Sequence, residues 1–287
     1  MGVFHLVVDR TPPPVRKLLA AACAARGVPF QEVLATGLDP TSPPLQPGSM
    51  LFCPAGSVAA GLAERQLFQP GVATLHADEL RGPFQGVVDP GPLFVRMGLP
   101  MPRAVRPNRS DREALARWVE HVGGFPVVLK VDGGEGGVGV MRFAELASLH
   151  PVVEALHARG LPLRLIAYVP DAMHWRLIVV GDRVVAAYRN PVREGDFRSA
   201  PSTDPADHGL VASDALQRIA LGAAQVLAAE LAGVDVLVHP SGRAYLLEAN
   251  FPCYFPTAQE LPGTPDVAGA LVDWLVAKAA RLEARFS

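Results

Sequence analysis

The stretch from Gly233 to Asn250 constrains this chain more than any other. One short apolar run carries Asp235, the next carries Glu248 and Asn250, and the turn signal Pro240-Ser241-Gly242 lies between them. Two such runs around such a turn predict a β-hairpin. Side chains alternate across a strand, so Glu248 and Asn250 share a face, and Asp235 on the partner strand can join them. The neighbours Val234, Val236, Leu246 and Leu247 read as buried. A carboxylate in such surroundings needs a partner. Two carboxylates and an amide oxygen form a hard, oxygen-only set that suits Mg²⁺, with Mn²⁺ as an alternative; waters and substrate phosphates complete the shell. The competing reading is a solvated hairpin face.

The rest of the chain sets limits on what such a site can serve. Its 287 residues allow two or three sub-domains, and 49% apolar with 19% charged residues describes a globular protein. A net charge of −2 gives no reason to expect nucleic acid or an anionic membrane as partner. Cys23, Cys53 and Cys253 are scattered, which indicates neither a disulfide framework nor a zinc site and fits a reducing cytoplasm. The apolar start, Met1–Asp9, is too short for a signal peptide and reads as a first strand, and no run is long enough to span a bilayer. The only lysines are Lys17, Lys130 and Lys278, so a lysine ending a buried strand calls for a reason.

Local patterns predict strands at 3–8, 50–53 and 72–75 with a helix at 13–26, a small parallel α/β layer. The proline-rich residues 89–107 mark a change of sub-domain. A helix over 110–122 follows, with Ser110 as N-cap and Glu113 three residues on. Then come strands at 126–130 and 138–143 around a glycine loop, a helix at 144–159, a strand at 163–169, and two strands within 175–189 turning at Gly181-Asp182. A long irregular segment, 190–212, leads to a helix at 214–231, the acidic hairpin, and a last helix at 266–284.

The loop Lys130-Val-Asp-Gly-Gly-Glu-Gly-Gly-Val-Gly139 contains a superficial dinucleotide fingerprint, but a β-rich run follows it where that fingerprint requires a helix. It also lacks the Gly-Lys-Ser/Thr of a Walker loop. A glycine flap with Lys130 at its base remains, suited to bringing backbone N–H groups close to phosphate oxygens; a plain flexible hairpin is the alternative. Arg198, in Glu194-Gly-Asp-Phe-Arg-Ser199, offers planar recognition of phosphate or carboxylate, at even odds with a solvated arginine on a mobile loop. Arg176 can point into a site and stabilise an oxyanion, while Trp175 reads as packing. Cys253 has no identifiable histidine partner and reads as structural or substrate-lining.

With these residues in hand, the chain resembles the ATP-grasp superfamily, and within it the RimK-type glutamate ligases. The markers run in order from about residue 89 to 280: Phe125–Lys130 with the glycine flap, Val179–Ala187, Glu194–Ser199, Ala232–Asp235 and Leu247–Asn250. The resemblance implies an α/β and α+β ATP-grasp fold. An N-terminal pre-ATP-grasp α/β domain (1–88) would precede a central sub-domain with the glycine flap (89–165) and a C-terminal sub-domain with the metal site (166–287), these two clamping ATP. It implies a carboxylate–amine ligase working through an acyl phosphate and releasing ADP. By matching motifs, Lys130 and the flap residues Gly134, Glu135, Gly136 and Gly137 would hold phosphates. The backbone of Ala167, Tyr168 and Val169 would face adenine, and His174 would stand near the ribose. Arg198 and Ser199 would lie by the phosphates and reacting groups, and Arg176 would steady the tetrahedral intermediate. Asp235, Glu248 and Asn250 would bind one or two Mg²⁺.

The chain departs from the pattern in four places. A lysine is missing after Asp89, for which Arg96 is a candidate substitute. His174 replaces an acidic residue, Ala200 an asparagine, and Phe251–Pro256 the usual Ser-Pro-Gly. The expected substrates are small molecules or peptides bearing a carboxylate and an amine, with no nucleic acid and no membrane; a homo-oligomer is left open. A peptide-macrocyclising ligase and a non-catalytic ATP-binding regulatory module remain as alternatives.

Overall fold

The computed structural model describes residues 2–84, 89–133, 137–255 and 263–286. Among these residues, three sheets organise the fold. The first is parallel, in the order β2-β1-β3, from β1 (Phe4–Val8), β2 (Phe30–Leu34) and β3 (Met50–Phe52). The helices α1 (Pro13–Ala24) and α2 (Val58–Leu67) accompany it. Residues 72–75, expected to be a strand, make only an isolated bridge from Ala73 to Met50. The edge strand is β2 instead. Its exposed Gln31, Glu32 and Leu34 blur the apolar alternation by which a strand is recognised.

The short helix α3 (Gly91–Arg96) leads into the central sheet, ordered β4-β7-β5-β6 and wholly antiparallel: β4 (Ala104–Val105), β5 (Val127–Val131), β6 (Val140–Phe143) and β7 (Leu163–Ala167). Two helices, α4 (Arg112–Val122) and α5 (Leu146–His157), cover one face, and Val127, Leu129, Leu163 and Leu165 join their core. Strand alternation then sends Lys130 and Arg164 to the uncovered face. The N-cap of α4 is Asp111, not Ser110: its carboxylate accepts from the Ala114 amide at 2.8 Å. Gly123, at φ 115°, ends the helix in a conformation that favours glycine.

The third sheet, β11-β10-β8-β9, is also antiparallel and comprises β8 (Met173–Val180), β9 (Arg183–Asn190), β10 (Leu231–Val238) and β11 (Ala244–Asn250). One face packs on α6 (Asp214–Val226) through Leu177, Val179, Val234, Val236 and Leu246. On the other face, Ile178, Val180 and Leu231 share a core with β1, β3 and α7 (Val267–Phe286). Helix α6 stops at Val226, short of the expected 231: Ala228 takes φ 49°, and Leu231 already belongs to β10. Among the described residues no helix is long and apolar enough to cross a membrane.

Candidate active site

The uncovered half of the third sheet carries the polar residues. Strand register sets Asp235 opposite Arg176 on one side and Glu248 on the other, and Gly233 opposite Asn250. A bulge at Asp235/Val236 makes this possible: Leu246 pairs with Val236 in the core, Glu248 pairs with Asp235, and Leu247 is the extra residue between them. Without it, Leu246 and Glu248, two apart, would face the same way. Leu247, expected to be buried, instead lines the cleft.

Each acid is engaged. Asp235 is buried; its Oδ2 accepts from Arg176 Nη1 at 2.5 Å, and its Oδ1 lies 2.8 Å from His174 Nε2. The other ring nitrogen, Nδ1, lies 2.5 Å from Ser199 Oγ. Burial works against the Arg176 charge, but Asp235 together with Tyr188 and Cys253 outweighs it and the guanidinium pKa is raised. Glu248 receives the Lys130 ammonium from across the cleft, and Asn250 Nδ2 donates to its Oε1 at 2.8 Å. Trp175 packs beside the α6 core, as expected of it.

The loop after β9 closes on itself through a bridge between Val192 and Ser199. Within it, Arg198 Nη2 bonds Asp196 at 2.7 Å and Nη1 donates to the Gly137 carbonyl at 3.1 Å, so this loop touches the glycine flap. The Asp196 carboxyl is held well below its ordinary range, chiefly by the Arg198 side chain. Gly134, Glu135 and Gly136 lie outside the described residues. Strand β7 ends at Ala167, whose amide donates to Arg103, and Tyr168 and Val169 continue beyond it. Arg142 lies 5.2 Å from the Tyr168 ring and 5.4 Å from that of Phe197.

The cleft between the sheets, about 360 Å³, is lined by Lys130, Glu248 and Asn250 and also by Asp89, Arg106, Asp132 and Arg164. None of the last four was among the candidate site residues read from the sequence. Arg96, the candidate substitute for the absent lysine, is exposed on α3 and does not line the cleft. Arg106 instead reaches Asp89, with Nε at 2.7 Å from Oδ2. A charged residue interrupting Leu163-Arg-Leu-Ile-Ala167 was the available signal for Arg164; its register opposite Lys130 was not visible in one sequence.

Two features give direct tests. A Cβ on Gly233 would lie 2.5 Å from Arg176 Nη2 and 2.7 Å from Cys253 Cβ, so the strand needs glycine for Arg176 to cross it. Gly233→Ala is expected to displace that guanidinium from Asp235, read in a crystal structure of the variant; an unmoved Arg176 would show that the strand tolerates a Cβ there. Burial pushes the Cys253 thiol up to about 12 from an ordinary value near 9, against the pull of Arg176. Its thiolate fraction at neutral pH is then about a thousandfold below that of a free cysteine. Native protein is expected to resist iodoacetamide at Cys253, read by mass spectrometry, and rapid alkylation would contradict this.

A RimK-like ATP-grasp domain matches residues 93–275. Over 186 residues the chain is 30% identical to the ribosomal protein bS6–L-glutamate ligase of Escherichia fergusonii, a match covering 64% of this chain and 60% of that protein. It is 29% identical over 187 residues to a probable alpha-L-glutamate ligase of Rhodopirellula baltica, covering 64% and 44%. The chain thus spans less than two thirds of the length of these relatives. Among solved structures, the ATP-grasp ligase PsnB, complexed with a phosphomimetic variant of a minimal precursor, Mg and ADP, is similar at a TM-score of 0.69 and 19% identity, over 97% of this chain and 99% of that one. D-cycloserine synthetase DcsG is similar at a TM-score of 0.66 and 16% identity, over 98% and 100%. These two show the ATP-grasp fold, and the domain match, spanning both antiparallel sheets, shows that this chain belongs to the RimK-like ATP-grasp family.

Proposed function

We propose that this protein is an ATP-dependent carboxylate–amine ligase acting on an amino acid, a peptide or a small metabolite. The observation that carries this is the meeting of Lys130, on the central sheet, with Glu248, on the facing sheet, beside Asp235 and Asn250. A lysine and a hard oxygen set on opposite walls of one cleft suit a polyphosphate. The donors fit a divalent cation: Asp235 and Glu248 stand in register, and Asn250 donates through its amide nitrogen, leaving its carbonyl oxygen as a lone-pair donor. Among the described residues no three His, Cys, Asp or Glu side chains are placed to hold a metal ion by themselves, so phosphate and water oxygens would have to complete the shell. Bound Mg²⁺ would neutralise phosphate charge during transfer.

The chain's residues then position and stabilise. Lys130 holds the phosphates, and the ends of β7 and the loop at Phe197 flank the base. Arg198, released from Asp196, reaches the transferred phosphoryl group. A substrate carboxylate oxygen attacks the γ-phosphorus and ADP leaves. The amine attacks the resulting acyl carbon, Arg176 steadies the oxyanion, inorganic phosphate leaves and the amine nitrogen gives up its proton. We divide the chain for this purpose at 1–88, 89–165 and 166–287, with the last two as the clamp. The relatives named as glutamate ligases and the likeness to PsnB, seen with a peptide precursor, support substrates of this class. A reducing, cytoplasmic setting is supported by three free cysteines.

The test is nucleotide release with Mg²⁺-ATP and a panel of amino acids, dipeptides and small carboxylates. ADP and phosphate in equal amounts, dependent on one acid–amine pair, are expected. AMP would overturn the mechanism.

A further inference from the structure

The central sheet sets three cations in one row. Lys130 pairs with Arg164 across β5 and β7, and Arg106 follows Val105, which pairs with Leu165, so it falls opposite Arg164 on the other side. With neighbouring strands about 4.8 Å apart, the row spans about 10 Å. Like charges directly opposite each other destabilise a sheet, so such a row needs anions. Asp132 serves both arginines, at 2.9 Å from Arg164 Nη2 and in contact with Arg106, while Asp89 serves Arg106 and is itself fixed by the Gly91 amide at 3.2 Å. Burial of Asp89 resists ionisation, but the Arg106 and Gly91 bonds outweigh it and its pKa is lowered.

A purely structural ion-pair network would use up its donors and turn away from open space. This one does neither. Arg106, Arg164, Lys130 and Asp132 line the same cleft as Glu248 and Asn250. Among the described residues Arg164 Nε is buried without an acceptor, and neither Arg164 Nη1 nor Arg106 Nη2 makes a hydrogen bond. Arg106 is held at Nε and Nη1 and keeps Nη2, while Arg164 is held at Nη2 and keeps Nη1, so each guanidinium retains a donor for a ligand. Planar forks with spare N–H groups recognise oxyanions in pairs of hydrogen bonds.

We propose that Arg106 and Arg164 form an oxyanion subsite continuous with Lys130, which takes either a nucleotide phosphate or the carboxylate of the acyl substrate. It rests on the ligase reading for the source of its anion. Its test uses the full chain with Arg106→Gln and Arg164→Gln, and Arg164→Lys as the charge-keeping variant, each checked for an unshifted melting temperature. Calorimetry would measure Mg²⁺-AMPPNP, adenosine and pyrophosphate on each protein, and glutamate as a dicarboxylate probe on the AMPPNP-loaded protein. About tenfold weaker AMPPNP and pyrophosphate binding in the glutamine variants, with adenosine unchanged and Arg164→Lys intermediate, is expected if the anion is a nucleotide phosphate. Unchanged AMPPNP binding with lost glutamate binding would assign the subsite to the substrate carboxylate. Unchanged affinities for every probe overturn the subsite. Wild-type protein that binds pyrophosphate through the arginines but no nucleotide would sink the ligase reading and keep the subsite.

Discussion

Replacing Glu248 with alanine is expected to lower turnover on the order of a thousandfold while leaving the fold intact. Glu248 faces both Asp235, its register partner, and Lys130 on the opposite wall. Its loss removes an oxygen donor from the site and leaves Lys130 without the carboxylate that holds it. The stability change should stay within about 1 kcal/mol, because the two side chains are 22% and 35% exposed and such pairs contribute little. Steady-state ADP release together with a melting curve checks both halves. Turnover within tenfold of the native protein would remove Glu248 from the site.

Glu230→Ala is expected to destabilise the protein by about 3–5 kcal/mol. Lys278 on α7 is 1% exposed, yet its ammonium bonds Glu230 at 2.6 Å and the carbonyls of Thr74 and His76 at 3.0 and 2.7 Å. Burial lowers the Lys278 pKa, and Glu230 works in the opposite sense. Glu230 also accepts from Trp274 Nε1 at 3.0 Å. Removing the carboxylate leaves a buried cation bonded only to carbonyls, with Glu79 acting on it only through its charge, which is far costlier than losing an exposed pair. Urea unfolding should show a lower midpoint at constant slope. The double variant Glu230→Leu, Lys278→Met should lose less than Glu230→Ala, since no unpaired charge remains. A midpoint for Glu230→Ala equal to the native one would mean that Lys278 is neutral or rehydrated.

Much of this architecture was legible from the chain because local rules suffice for it. The hairpin of β10 and β11 is written in a turn signal between apolar runs, and α4, α6 and α7 in helical periodicity with glycine, aspartate or serine at their ends. The edge strand β2 was not, since an exposed strand need not alternate. Short α3 lacks the turns that make periodicity visible. Within the site, Asp235, Glu248, Asn250, Lys130, Arg176, His174 and Ser199 fall into one connected set of hydrogen bonds and strand pairs. Which carboxylate meets which base was not readable, because it depends on a bulge at Leu247 and on contacts between sheets more than 100 residues apart in sequence. The same holds for Arg106 and Arg164: each is one arginine in an arginine-rich chain until register sets them beside Lys130.

The cores divide the molecule unequally. The parallel sheet and one face of the third sheet share a single apolar core through α7, whereas the central sheet closes a core of its own with α4 and α5. Between the two bodies stand the Lys130–Glu248 pair and the Arg198 bond to Gly137. The contacts that join the two bodies are thus made by the same groups that the ligase reading assigns to phosphate binding. On the ligase reading, Glu248 competes with an incoming phosphate for Lys130, and the affinity of a nucleotide would be the difference between two grips, one exchanged for the other. Salt weakens both. On that reading, a ligand that brings both an anion for the lysine and a cation for the glutamate would replace both halves of the pair.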